Sequence, residues 1–277
     1  MKPVRFDYAR PSDIAAAVGL ARSGNPTVKL LAGGQSLGPL LNLRLVQPDL
    51  VVDVTGIEEL KRVEESADGL TIGSCITHAD VEDGRVPDVT GGPLRAVAAG
   101  IAYRAVRNRG TVGGSLAHAD PAADWISALA ALGAEAVIQG AQGQRRIPVE
   151  QLMTGVFECS LAADELLSAV RIPRLSRAAR WGYYKYCRKT GELAQAIGAY
   201  LFDPDRFVCR AVIGATGGRP IVFTDATVVF DGGTPGQAPV DRNAVEQAMA
   251  AHGMSDPIEQ QVHYACLRRA IAQAHQR

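Results

Sequence analysis

Arg107-Asn-Arg-Gly-Thr-Val-Gly-Gly-Ser-Leu-Ala-His-Ala-Asp-Pro-Ala-Ala-Asp124 is the stretch whose reading decides this chain. It sets Gly110, Gly113 and Gly114 between Arg107 and Arg109 on one side and Asp120 and Asp124 on the other, with almost nothing that could fill a core. Glycine lets the backbone approach a ligand closely and take positive φ. Successive free N–H groups in such a turn form a concavity suited to phosphate oxygens. The expectation is a diphosphate-binding loop.

A partner lies upstream in Leu31-Ala-Gly-Gly-Gln-Ser-Leu-Gly38, between the apolar run Val28–Leu31 and the alternating segment Leu50-Val-Val-Asp-Val54. A strand again runs into paired glycines, Gly33 and Gly34, and then into the donors Gln35 and Ser36. One Gly-Gly pair after a strand reads as a tight turn. Two such pairs, each flanked by donors, point to one ligand gripped from both sides. Gly-x-Gly-x-x-Gly is absent and no glycine loop continues into Gly-Lys-Ser/Thr, so the pattern supports neither NAD nor ATP.

Composition narrows the class. The 277 residues suffice for two or three compact units, and 47% apolar content is ordinary for a globular chain. Lysine plus arginine equal aspartate plus glutamate at 29 each, which leaves no basic field to attract nucleic acid. The N-terminus lacks the apolar centre of a signal peptide, and no run of about 18 uncharged apolar residues occurs, so no membrane span and a cytoplasmic location are expected. Cys75, Cys159, Cys187, Cys209 and Cys266 are odd in number and far apart, and read as reduced thiols. Neither they nor the scattered histidines have the spacing of an iron–sulfur or zinc site, and no metal is expected in this chain.

In chain order, residues 13–23 read as a helix with Ser12 as N-cap and Gly24 as its stop, leading into the strand Val28–Leu31, the first glycine turn and the strand Leu50–Val54. Asp53 reads as an exposed or turn-paired carboxylate. This makes a small α/β unit over 1–58. A second unit, 59–174, opens with the strand Gly69–Gly73. A helix capped by Thr77, another opened by Pro93 and running to about Tyr103, the large glycine loop, and a buried helix Trp125–Leu132 stopped by Gly133 follow. Asp124 reads either as the cap of that last helix or as a ligand contact. A hairpin over 135–149 and the strand Glu165–Ile172 close the unit. Residues 175–277 read as an antiparallel sheet from Arg180–Arg188, Leu193–Phe202, Phe207–Gly214 and Pro220–Phe223, with helices Arg242–Ala251 and Glu259–Gln273. The fold class expected is α+β.

The two glycine segments resemble the FAD-binding, or medium, subunit of the molybdenum hydroxylases, the family of carbon monoxide dehydrogenase and xanthine dehydrogenase. Ala32-Gly-Gly-Gln-Ser36, Asn42-Leu-Arg-Leu45 with Pro48, and above all Arg107–Pro121 carry the likeness. It continues through Asp164–Pro173 and Tyr184-Lys-Tyr-Cys-Arg-Lys-Thr-Gly191 to Tyr264 and Arg268-Arg269, covering essentially the whole chain. The resemblance implies FAD as cofactor, with no catalytic residue of the chain's own. It places the diphosphate between Ala32, Gly33, Gly34, Gln35 and Ser36, flanked by Leu31 and Leu37, and Thr111, Gly113, Gly114 and Ser115, followed by Ala119 and Asp120. Ile101 would lie against a flavin face, and Asp124, Leu167 and Lys185 would contact the cofactor elsewhere. Implied partners are a molybdopterin-binding large subunit and a [2Fe–2S] small subunit in a heterotrimer, its dimerisation left open, and an external electron acceptor.

One departure bears on function. Family members often carry Gly-Asp and then an aromatic after the basic pair, where this chain has Gly191-Glu192-Leu193. An aromatic there can cover the ring and move when a second substrate arrives. The main expectation is therefore an electron-transfer subunit taking electrons from an iron–sulfur subunit. The alternatives are a stand-alone FAD-dependent oxidoreductase acting on a small molecule, and a redox-silent FAD module. Arg107 and Arg109 are candidates for neutralising the diphosphate, pairing with Asp120 and Asp124, or anchoring a partner. His118 is expected to bond a backbone or carboxylate group.

Overall fold

The computed structural model describes residues 2–22, 27–230, 233, 235 and 238–276. Its first layer contains β1 (Asp7–Ala9), α1 (Ile14–Ala21), β2 (Val28–Leu31), α2 (Leu37–Asn42) and β3 (Leu50–Asp53), with the strands parallel in the order β1-β3-β2. Asp13, not Ser12, caps α1, because its carboxylate reaches the Ala16 N–H at 2.8 Å while Ser12 bonds Asp13. Gly24, the expected stop, lies outside the described residues. Asp53 is turn-paired, accepting from Thr55 N, Thr55 Oγ1 and the Tyr8 hydroxyl. Ala17, Val18, Val52, Ile57 and Leu60 form the core of this layer.

The second layer runs through β4 (Val63–Glu65), β5 (Gly69–Gly73), α3 (His78–Glu82), α4 (Pro93–Ala99), α5 (Arg104–Arg107), α6 (Val112–His118), α7 (Asp124–Leu132), β6 (Glu135–Gly140), β7 (Gly143–Pro148), β8 (Met153–Gly155), β9 (Glu158–Cys159) and β10 (Glu165–Pro173). Five of these strands form an antiparallel sheet in the order β4-β5-β10-β6-β7, and β8 and β9 pair separately. Thr77 starts α3 with a reciprocal capping box to Asp80. The helix expected from Pro93 to Tyr103 ends at Ala99. Gly100 caps it, Ala102 takes φ 41°, and Tyr103 then begins a new turn.

The third layer is the antiparallel sheet β11 (Arg180–Tyr186), β12 (Ala196–Asp203), β13 (Val208–Gly214) and β14 (Ile221–Phe223), followed by α8 (Arg242–Ala251) and α9 (Pro257–His275). α9 lies so close to one face that a Cβ on Gly182 would sit 1.7 Å from the Ala270 carbonyl oxygen. α7 covers the other face.

All nine residues of α7 are buried. Trp125, Ile126, Ala128, Leu129 and Leu132 pack with Ile138, Val170 and Ile172 of the five-stranded sheet, and Ala130 and Ala131 with Ala199 and Val212 of the four-stranded one. A helix apolar on every side needs a layer on every side, and each large aliphatic buried this way contributes roughly 1.5–3 kcal/mol. With α7 held from both sides, its N-terminus is a rigid wall for what lies in front of it.

Candidate functional site

In front of that wall is a cavity of about 670 Å³, bounded by the carboxyl end of β2 with the turn after it, by α6 and the start of α7, by Ile101–Ala102, by Leu166–Leu167, and by Gly191–Leu193. The volume suits a small-molecule cofactor, and the carboxyl ends of parallel strands are where open α/β sheets bind ligands. Ala32, Gly33, Gly34, Gln35, Ser36, Leu37, Ile101, Thr111, Gly113, Gly114, Ser115, Asp120, Asp124 and Leu167 all line it. Leu31, Ala119 and Lys185 do not; Leu31 and Ala119 adjoin lining residues along the chain, and Lys185 bonds the lining Asp124.

The turn after β2 offers donors. Gly34 takes φ 71°, and the Gln35 side chain folds back to give an Nε2–H to the Gly33 carbonyl at 3.1 Å. No acceptor among the described residues takes the backbone N–H of Gly34, Gln35, Ser36 or Leu37, and the Ser36 hydroxyl makes no cap bond to α2. Gly33 has a different task, since a Cβ there would fall 2.0 Å from the Arg109 carbonyl oxygen. The two glycine segments cross backbone to backbone at this point.

The second glycine segment differs from the loop its composition suggests. Residues 112–118 form α6, and Gly110, Gly113 and Gly114 have no positive φ. Their neighbouring donors are engaged inside the chain: Gly113 N–H to Ser74 O at 3.0 Å, Gly114 N–H to the capping Thr111 Oγ1 at 3.0 Å, and Ser115 N–H to Thr111 O at 3.0 Å. A nest of free N–H groups is therefore not formed. The glycines exist for close approach. A Cβ on Gly113 would lie 2.3 Å from Ser74 Cβ, and one on Gly110 would lie 2.8 Å from His78 Nε2. The wall this segment presents to the cavity is its small side chains, including the Ser115 hydroxyl.

The arginines point elsewhere. Arg107 makes a two-bond pair with Glu82, at 2.7 and 3.0 Å, and donates to the carbonyls of Ile101 and Ala102, so it braces the Ile101 wall instead of meeting Asp120 or Asp124. The Arg109 side chain is exposed and off the cavity wall. Asp120 closes a turn by accepting from Ala122 N–H. Asp124 is the first residue of α7 but does not cap it; Ala123 holds that position. Its carboxylate accepts from the Tyr183 hydroxyl at 2.8 Å and Lys185 Nζ at 3.0 Å, and Lys185 also donates to Gly100 O at 2.9 Å. The ion pair is buried, with side-chain exposures of 11% for Lys185 and 5% for Asp124. Burial pushes the Asp124 carboxyl up, with the Lys185 ammonium and the Tyr183 hydroxyl pulling against it. The pair ties β11, the end of α4 and the start of α7 together under the cavity floor.

Sequence reasoning missed four contributors. His78 lines the cavity and accepts the Trp125 indole N–H on Nδ1 at 3.0 Å; burial, reinforced by the Arg107 charge, holds its pKa down at about 4. Among the described residues, His118 meets no carboxylate or carbonyl. It packs against Phe157, with ring centroids 5.0 Å apart, and both rings line the cavity. Phe157 has φ 58° and is anchored by its N–H to Ala119 O. Lys29 of β2 also lines the cavity. Of these, His118 stands inside the second glycine segment, and Lys29 is a charge inside an apolar strand.

Residues 4–175 match the family model described as "FAD binding domain in molybdopterin dehydrogenase". The nicotine 6-hydroxylase medium subunit of Paenarthrobacter nicotinovorans is 37% identical over 84% of this chain and 82% of its own, and the caffeine dehydrogenase subunit beta of Pseudomonas sp. strain CBB1 is 35% identical over 80% and 77%. Among solved structures, a chain of carbon monoxide dehydrogenase from Hydrogenophaga pseudoflava superposes with TM-score 0.87 at 28% identity, covering 99% of this chain and 98% of that one. A chain of quinoline 2-oxidoreductase from Pseudomonas putida 86 gives 0.84 at 32%, covering 100% and 99%.

Proposed function

We infer that this chain, which belongs to the FAD-binding family of the molybdopterin dehydrogenases and serves such an enzyme as its flavin-carrying electron-transfer subunit, holds the FAD diphosphate against the turn Gly33–Leu37. The observation that carries the reading is the run of four backbone N–H groups, Gly34 to Leu37, with no acceptor of their own on the cavity wall. Oriented amide donors of this kind suit phosphate oxygens. Thr111, Gly113, Gly114 and Ser115 would form the opposing wall, where the missing side chains leave room and Ser115 adds a hydroxyl. Ile101, Leu167 and Leu193 supply apolar surface for the cofactor's rings, and the Asp124–Lys185 pair fixes the floor. FAD, when bound, accepts an electron pair and can release electrons one at a time. That chemistry needs no nucleophile or acid–base relay from the protein.

The partners follow from the relatives, two of which are named as a medium subunit and a subunit beta. A molybdopterin-binding large subunit and a [2Fe–2S] small subunit would complete the complex, with this chain receiving electrons and passing them to an external acceptor. Leu45, Phe157 and Leu193 line the cavity and are 69%, 59% and 59% exposed, so the mouth offers an apolar collar to a docking surface. No helix among the described residues is long and apolar enough to cross a membrane, and the cytoplasm is the proposed location. The purified chain should carry flavin that dithionite bleaches and an organic substrate does not; added partner subunits should restore bleaching by substrate. Steady turnover of a small molecule by the chain alone would replace this reading with a stand-alone flavoenzyme, which the open Gly191–Leu193 side favours.

A further inference from the structure

We propose that the third layer pairs this chain with a second copy of itself, each copy inserting Phe207 into a pocket beside α9 of the other. Phe207 sits at the tip of the β12–β13 hairpin, is 98% exposed, and takes φ 54°. Glycine would hold that turn at lower cost, and a large apolar side chain in the left-handed region and in water gains nothing within its own chain. The tip is nonetheless held firmly. The Phe207 N–H bonds Pro204 O, and at the hairpin base the buried Asp203 carboxylate accepts from Ser176 N–H at 2.9 Å and from the Ser176 hydroxyl.

At the same end of the sheet lies a pocket of about 300 Å³, walled by Val240, Tyr264, Ile271 and His275, with Arg268 also lining it. The Tyr264 hydroxyl fastens one wall by donating to Val240 O at 3.1 Å. The His275 ring stands 6.0 Å from that of Phe202, the residue before Asp203, so knob and hole are neighbours on one surface. Two patches that adjoin in this way can be exchanged reciprocally across a twofold axis, which closes the assembly at two copies. Charge fits the same exchange. Asp205 on the tip and Arg268 at the pocket are exposed and have no partner among the described residues, and the exchange brings one opposite the other.

β12 starts beside the Gly191–Leu193 wall of the large cavity and ends at this hairpin, eight residues or roughly 25 Å away. Pairing here therefore leaves the mouth of that cavity open to other subunits.

The test is sedimentation of the full chain, which should pass from monomer to dimer between about 2 and 200 µM. Phe207→Ser removes both knobs and should weaken the dimer about a hundredfold, at about tenfold for each buried phenylalanine. Ala272→Phe fills the hole from α9 and should do the same. Mixing these two variants should recover a dimer about tenfold weaker than the original, because one intact knob then meets one intact hole. Asp205→Arg should weaken pairing, and Arg268→Glu added to the same chain should restore it. Phe207, Ala272 and Asp205 are all exposed, so melting temperatures read at dilutions where the chain is monomeric should not change. A monomer throughout the concentration range, species that grow past the dimer, or a dimer indifferent to Phe207→Ser would each overturn the proposal.

Discussion

The two glycine segments that meet across the cavity share a composition and differ in what they contribute. The turn Gly33–Leu37 lines the wall with four N–H groups that find no acceptor among the described residues. The segment Gly110–Ser115 engages its amides with Ser74 and Thr111 and uses the absence of Cβ atoms to pack tightly. One is a set of donors on a short turn exposed at Gln35 and Ser36; the other belongs to a braced block that also contains α7, the Asp124–Lys185 pair and the His78–Trp125 bond. Glycine count alone does not distinguish a ligand loop from a packing seam. What distinguishes them is where the amides point.

If the block is as braced as its geometry says, the largest effect should come from its buried ion pair. Lys185→Met leaves the Asp124 carboxylate buried without its cation and should cost about 3–5 kcal/mol, read from urea unfolding, with Asp124→Asn in the same chain recovering part of the loss. A loss under about 1 kcal/mol would mean the pair is solvated and the floor is not fixed by it.

His78 tests the same block through pH. Its folded pKa is about 4, below the ordinary value near 6.5, so the unfolded chain binds a proton at pH values where the folded chain does not. This contribution is fully present above about pH 6.5 and is lost as pH falls toward about 4. Its size is at most about 3 kcal/mol at 1.36 kcal/mol per unit. His78→Gln, which keeps an acceptor near the Trp125 indole, should remove that part of the acid dependence. Parallel pH profiles for the two proteins would show that His78 is not the group responsible.

Gly113→Ala probes the seam itself. Its Cβ would meet Ser74 Cβ at 2.3 Å, and overpacking of this kind costs about 1–3 kcal/mol. The expected signs are a lowered melting temperature and lower flavin content in the same samples. Gly34→Ala should have the smallest effect on stability, about 1 kcal/mol for a side chain at φ 71°, yet a disproportionate loss of FAD affinity because the donors beside it shift. If Gly34→Ala lowers stability more than Gly113→Ala and spares FAD, the division of labour between the two segments is reversed.

Much of the architecture was legible along the chain. Thr77, Pro93 and Gly133 mark helix ends by local chemistry, and the alternating or apolar runs at 69–73, 135–140, 165–173 and 196–214 become strands because their period matches the pleat. β1 and β4 were missed because three residues carry too little pattern, and their strand character comes from the neighbours they pair with. The site was legible as a list of residues, most of which do line one cavity.

The roles within that list were set elsewhere. Sequence by itself determined the α+β order of elements, two glycine segments that line one cavity, and a family likeness that names FAD, because helix caps, periodicity and motif spacing act within a few residues. Tertiary structure alone decided that Arg107 answers Glu82 across 25 positions, that Lys185 holds Asp124 across 61, that residues 112–118 coil into a helix pressed on Ser74, and that Lys29 is left facing the cavity. A charge selects its partner by distance and desolvation in the folded chain, and an amide is free only if no carbonyl reaches it; neither quantity exists until the layers have packed.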